Sequence, residues 1–305
     1  MRTRIAYFGL PLGANVLCHA GAELVSVALG HPDAVGARRL RRSTRGRLLL
    51  GRPSLDDETI VRAIASTEPD VILSWFWPRR IPARVLALAP RGAFGVHPSL
   101  LPRHRGGDPY FHAILAGDAE TGVTLHRLEA AYDTGAVVDA IRVSIRPTDD
   151  AWRLARRLDR PSLRLLISCA ERLARGEALR GAPQDEALAT AAEPPSEDDL
   201  AIDWDRDAAY LERLCRAAGP TPGAIAQLGD TLVAVLAARP IAAAPRVLEP
   251  GEAFFVEGRV CVRTGDGGAL AIDRVRVEET EDEAIGASVG RELGGDEIAR
   301  LVPRS

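Results

Sequence analysis

The chain has no lysine: all 39 of its cationic side chains are arginine. We assign that bias to a GC-rich coding sequence. Cysteine is scarce, and Cys18, Cys169, Cys215 and Cys261 form no CxxC pair, so they read as reduced core residues rather than a disulfide frame or a zinc site. The six histidines show no HxxxH or Cys/His ligand spacing, and no metal is predicted. No apolar run is long enough to span a bilayer. The N-terminal Met1–Arg4 runs straight into the apolar stretch 5–10, which Gly13 and Asn15 interrupt before a signal-peptide core can form. A cytoplasmic protein without a membrane partner is expected, and nothing in the sequence gives an oligomeric state. A net charge of −3 opposes a general nucleic-acid-binding surface. With 46% hydrophobic and 27% charged residues over 305 positions, the chain can bury a sizeable core in one large domain or two smaller ones.

Short β-branched apolar runs at 4–9, 23–29, 71–76 and 93–96 alternate with helical patterns such as 57–66, where Ile60, Val61 and Ile64 share one face. This alternation predicts an α/β, Rossmann-like, doubly wound, mostly parallel sheet, with ligands beyond the carboxyl ends of its strands. Further strands are expected at 121–128 and 136–145, then a long amphipathic helix over 149–175. The domain reading is 1–182 for the α/β domain, 183–199 for a linker rich in Ala, Pro and acidic residues, and 200–305 for a smaller, mostly β, OB-like domain. Gly265–Gly268 reads as a hairpin turn, because it lacks the helix and the Lys-Ser/Thr ending of a phosphate loop. The acidic run 278–283 reads as a solvated loop that would repel a phosphodiester backbone. From Asp198 onward there are 20 Asp and Glu against 12 Arg, a net of −8. Six of the ten residues 38–47 are arginine, either a solvated face or a clamp for an anionic ligand.

The chemistry concentrates in Phe94-Gly95-Val96-His97-Pro98-Ser99-Leu100-Leu101-Pro102-Arg103-His104-Arg105-Gly106, with Asp133-Thr134-Gly135 following. A histidine at a strand end can bond a carbonyl oxygen or take a proton from an attacking amine. Asp133 would orient the ring or favour its charged form. The 99–102 loop offers backbone N–H groups and an apolar wall, Gly106 allows close backbone approach, and Arg105 could neutralise a carboxylate. These parts suit acyl transfer to an amine.

The run His97–Pro102 with Arg105-Gly106, and then Asp133-Thr134-Gly135, resembles the signature of the folate-dependent formyltransferases. Ala116-Gly117-Asp118 and Glu120–Thr124 are similar to the segment between those motifs. Ile202-Asp203-Trp204, Arg216-Ala217 and 220–224 resemble the start of the C-terminal domain in the methionyl-tRNA and amino-sugar branches. Trp75-Phe76-Trp77 and His126-Arg127 most resemble the amino-sugar branch.

The resemblance implies a formyl donor, 10-formyltetrahydrofolate, held by Ser99, Leu100, Leu101, Pro102, Trp75, Ile81, Thr134 and Gly135. Trp77 is a further candidate for the pocket wall. It implies catalysis by His97 and Asp133, with Gly95, Arg105 and Arg42 toward the acceptor. It also implies an asparagine two residues before the histidine, where this chain has Gly95. Loss of one oxyanion donor costs on the order of 10²–10³ in rate. Three readings follow: another donor substitutes, the opened space admits a larger acyl or different one-carbon donor, or the protein binds folate without turnover. For the acceptor, a small-molecule amine (an amino-sugar nucleotide, an amino acid or a hydroxylamino acid) ranks above initiator tRNA, because the C-terminal region is acidic.

Overall fold

The structure, a computed structural model, describes residues 3–278 and 290–302. The acidic residues 279–283 lie outside this set. Two compact units emerge: residues 1–109, 120–144 and 155–193 form one, and residues 110–119, 145–154 and 194–305 the other.

The first unit is built on a seven-stranded sheet. Its elements run β1 (Arg4–Gly9), α1 (Pro11–His19), β2 (Glu23–Leu29), α2 (Ala37–Ser43), β3 (Leu48–Gly51), α3 (Glu58–Ala65), β4 (Val71–Trp75), α4 (Ala83–Leu86) and β5 (Ala93–His97). After α5 (Pro109–Leu115) come β6 (Glu120–Arg127), β7 (Val137–Ser144) and the long α6 (Ala151–Ala174). The strand order is β3-β2-β1-β4-β5-β6-β7, parallel through β5 and antiparallel at β6 and β7. This is the mostly parallel, doubly wound sheet that the alternating pattern predicts. The Asp57 carboxylate caps α3 by accepting the Thr59 N–H at 2.8 Å.

Period-2 alternation divides the sheet into two faces. Ala6, Phe8, Ile72 and Ala93 belong to an apolar cluster with Val61, Ile64, Ile81 and Val85, against which Trp77 and Leu128 pack. Gly95 and His97 continue this face beyond Ala93.

The stretch 183–199, read as a linker, instead divides between the two units. Ala182 pairs with Val137 and Ala191 with Arg105. The Arg105 N–H donates to Thr190 O at 2.8 Å, and the Asp108 N–H to Ala192 O at 2.9 Å. Within this stretch, only the residues from Pro194 onward belong to the second unit. Ala- and Pro-rich composition conceals this docking because backbone groups make the bonds.

The second unit contains α7 (Glu197–Leu200), α8 (Ala208–Ala218) and β8 (Ala224–Leu228), β9 (Thr231–Ile241), β10 (Ala253–Val256), β11 (Arg259–Arg263), β12 (Ala269–Glu278) and β13 (Gly290–Gly294). Its six strands form an antiparallel sheet, β10-β11-β12-β9-β8, with β13 beside β12. Asp207 caps α8 by accepting the Tyr210 N–H at 2.7 Å. From α8, Arg213 donates to Leu115 O and Arg216 to Asp149 O, each at 3.0 Å, which ties in α5 and the start of α6. The 264–268 turn is the expected hairpin: Asp266 Oδ1 accepts from Thr264 Oγ1 and from the Gly268 N–H.

Candidate active site

His97 ends β5 and is 6% exposed. Its Nε2 lies 2.8 Å from the carbonyl oxygen of His104. A carbonyl can only accept, so that nitrogen carries a proton and Nδ1 faces the other way. Asp133 stands there, with Oδ2 3.4 Å from Nδ1. The Gly106 N–H donates to the same Oδ2 at 3.0 Å. The two motifs separated by 36 positions therefore meet at one carboxylate oxygen.

Asp133 is presented by a left-handed turn, at φ +54°. The backbone around it fits only glycine at the end of Asp-Thr-Gly: a Cβ on Gly135 would stand 2.0 Å from Arg127 O. Gly106, at φ +128°, is equally constrained, because its Cβ would lie 2.7 Å from Ala192 O. Thr134 Oγ1 donates within the turn, to Ala131 O at 3.4 Å.

Antiparallel pairing sets Gly95 opposite His126 and His97 opposite Thr124. His126 is 2% exposed. Its Nδ1 lies 2.9 Å from Arg127 O, and its Nε2 3.6 Å from Asp133 Oδ1. Burial lowers its pKa to about 4, outweighing the pull of Asp133 in the other direction. At neutral pH the ring is uncharged, protonated on Nδ1 toward Arg127 O, and turns the Nε2 lone pair to the carboxylate.

The opening at Gly95 that one of the three readings requires is filled. A Cβ there would meet Leu128 Cδ2 at 2.7 Å and His126 Nε2 at 3.3 Å. The missing side chain is replaced by two neighbours that close in, so the structure does not support an enlarged acyl pocket at this position.

The 99–102 loop is held from β6. Thr124 Oγ1 donates to Ser99 O at 2.7 Å and accepts the Leu101 N–H at 3.2 Å. Gly122 leaves room for Leu100, whose Cδ2 would be 2.6 Å from any Cβ at that position. Ser99 is fully buried and its hydroxyl donates to Arg103 O at 2.6 Å. Its side chain maintains the loop rather than facing a ligand. Leu100, Leu101 and Pro102 remain partly exposed.

Three expected ligand contacts take other positions. Trp75 lies opposite Val96 and Gly9 in the sheet, on the face away from His97. Its ring packs beneath α1, so close that a Cβ on Gly13 would touch Cε3 at 2.9 Å. Trp77 and Ile81 are the residues that share the Gly95 face. Arg105 is also committed elsewhere: its guanidinium donates to Gln184 Oε1 at 2.7 and 3.0 Å and to Glu186 at 2.7 and 2.8 Å. Arg42 is exposed on α2, which follows β2, three strands from β5 in the sheet order.

Gln184 has no counterpart in the sequence reading. Its Nε2 donates to both Asp133 O and Gly135 O at 2.7 Å. A glutamine next to an acidic, Pro-containing stretch carries no motif signal; the pairing of its segment with Val137 reveals it.

A folate-type donor fits this face. The indole Nε1 of Trp77 is buried without a protein acceptor, beside the apolar wall of Ile81 and Leu128, and a bound heterocycle could supply that acceptor. Among the described residues no cluster of three metal-ligating side chains occurs, and no helix is long and apolar enough to cross a membrane.

A histidine–aspartate pair ends a strand of a mostly parallel, Rossmann-like sheet, and the chain carries a second, antiparallel unit. Residues 18–169 match the family described as formyl transferase, and residues 196–286 match formyl transferase, C-terminal domain. The chain is 39% identical over 260 residues to a methionyl-tRNA formyltransferase of Burkholderia vietnamiensis, covering 79% of this chain and 80% of that protein. It is 36% identical over 290 residues to the corresponding protein of Anaeromyxobacter dehalogenans, covering 90% and 92%. For a third, from Paraburkholderia phymatum, the match is 38% over 218 residues, covering 71% of this chain and 66% of the relative. The chain belongs to the formyltransferase family.

Two solved structures share the fold. HypX from Aquifex aeolicus, in complex with tetrahydrofolic acid, aligns with a TM-score of 0.62 at 22% identity, over 98% of this chain and 47% of its own. This chain thus spans about half the length of HypX. An N-formyltransferase from Helicobacter canadensis, in complex with folinic acid and dTDP-3-aminofucose, aligns with a TM-score of 0.63 at 13% identity, over 89% and 99%.

Proposed function

We propose that the chain transfers the formyl group of 10-formyltetrahydrofolate to the primary amine of a small molecule. The observation that carries this reading is the placement of His97 Nδ1 at 3.4 Å from Asp133, with the outer nitrogen tethered to His104 O. When bound, the donor supplies an electrophilic formyl carbon. The residues then provide a base at His97 Nδ1 for the amine proton. The Asp133 carboxylate, fixed by the Gly106 N–H on a loop whose backbone Gln184 holds, orients the ring and stabilises its charged form. The proton taken up at His97 is returned to the departing nitrogen as the old C–N bond breaks, so no net acid or base is consumed.

The acidic balance of residues 198–305 favours a small acceptor over a polyanion. A second reading, initiator methionyl-tRNA as acceptor, is favoured by the names of the curated relatives and by the exposed arginines 38, 39, 41, 42, 45 and 47. Incubation with 10-formyltetrahydrofolate and separate pools of amino sugars, amino acids and charged tRNA distinguishes them. Tetrahydrofolate release with a formyl mass gain on a small amine supports the first reading. Gain on tRNA alone replaces it with the second. Release from no pool overturns both.

A further inference from the structure

We propose that Thr190 is a positioning residue of the site: it fixes the peptide unit whose carbonyl selects the tautomer of His97. The inference rests on the formyl-transfer reading for its chemical use, and on backbone geometry for its existence.

The peptide unit between His104 and Arg105 is bonded at both ends. Its carbonyl oxygen lies 2.8 Å from His97 Nε2, and its N–H, that of Arg105, donates to Thr190 O at 2.8 Å. In a planar trans peptide the N–H and the C=O point in opposite directions, so holding the N–H aims the carbonyl. The preceding N–H, that of His104, donates to Thr190 Oγ1 at 2.8 Å. One threonine thus captures two successive N–H groups, on either side of the His104 Cα. The residue it holds is left-handed, at φ +59°, a conformation that a non-glycine residue keeps only when its surroundings impose it. The Thr190 N–H donates in turn to Pro102 O at 3.3 Å, which completes the grip on this loop.

The aimed carbonyl has a chemical consequence. In the neutral form of His97 one ring nitrogen carries the proton. His104 O, at 2.8 Å from Nε2, is the nearer acceptor; Asp133 Oδ2 stands 3.4 Å from Nδ1 and already takes the Gly106 N–H. The proton therefore sits on Nε2, and Nδ1 keeps the lone pair that an amine proton needs. If His104 relaxes from its left-handed conformation, the 104–105 peptide rotates and its carbonyl leaves Nε2. The carboxylate is then the better acceptor and draws the proton to Nδ1, which blocks the base. Thr190 is exposed, so changing its side chain opens no cavity in the core.

The test is long-range ¹H–¹⁵N NMR on the ¹⁵N-labelled full chain, read at the alkaline limit of the His97 titration, where the ring is neutral. His97→Gln assigns the resonances. In the wild type His97 is expected to carry its proton on Nε2. In Thr190→Val, which keeps the shape and removes the acceptor, the Nδ1 resonance should move toward its protonated position. Thr190→Ser, which keeps the hydroxyl, should restore the wild-type pattern. With an acceptor that supports turnover, kcat of the Val variant should fall about tenfold while affinity for tetrahydrofolate is retained. A wild-type proton on Nδ1, His97 resonances identical in wild type and Thr190→Val, or equal displacement in the Ser and Val variants overturns the inference. Thr190→Ala supplies the same comparison should the Val variant fold poorly. The NMR result does not depend on any acceptor being found, so failure of the catalytic reading and failure of this one are separable.

Discussion

The side-chain amide of Gln184 donates to the backbone carbonyl of Asp133, and in the same grip to that of Gly135. The position of the Asp133 loop thus depends on a residue 51 positions away, which Arg105 in turn holds. Replacing Gln184 with Ala should lower kcat roughly 10–100-fold with little change in folate affinity, since it loosens geometry rather than removing a reacting group. Glu186→Ala, at the exposed end of the same chain of contacts, should leave stability nearly unchanged and cost less than threefold in rate. Steady-state kinetics of both variants check the ordering.

His126 makes stability depend on pH. Its folded pKa, about 4, lies below its ordinary 6.5. Between those values the unfolded chain binds the extra proton, so stability falls as pH drops through 6.5 and the loss levels off below 4. From pH 7 to pH 5 this one ring should cost about 2 kcal/mol. Urea unfolding of wild type and His126→Phe at both pH values should show the variant losing that much less.

Gly135→Ala drives a Cβ into Arg127 O, backbone against backbone, where no rotamer can relieve it. A destabilisation of about 3 kcal/mol and a fall in Tm of roughly 6 °C or more are expected in a thermal scan.

Gly95→Asn, which restores the side chain implied by the family resemblance, must displace Leu128. Alone it should cost about 1–3 kcal/mol. Paired with Leu128→Ala, part of that cost should return, a coupling that a double-mutant cycle of denaturant midpoints reads directly. Costs that simply add would refute the packing account.

Cys169 and Cys215 are buried, which raises both thiols to about 12. At pH 8 roughly one in ten thousand of each is thiolate. A thiol reagent should modify them only in the unfolded chain, as peptide mass mapping would show.

The parallel sheet, the hairpin at 264–268 and the pairing of His97 with Asp133 were readable because each has a local signature: period, turn chemistry or a fixed motif. Parity was harder. Trp75 and Trp77, two positions apart, would share a face in an extended strand, yet the strand ends at Trp75 and the left-handed Phe76 (φ +53°) lets them take opposite sides of the sheet. Ser99 and Arg105 were identified as site residues by the motif that holds them, and the structure shows their polar groups occupied in holding loops. Gln184 was invisible because its importance comes from a long-range backbone pairing, which composition cannot express.

Asp133 is held at its carboxylate by Gly106, at its backbone carbonyl by Gln184 and by its own left-handed turn, and it faces rings from β5 and β6. No short fragment of the chain contains these groups together. Catalytic competence is therefore a late property in refolding, reached after the sheet has closed and the 182–192 segment has docked. Recovered activity would report complete assembly of this unit more stringently than recovered helical or strand signal.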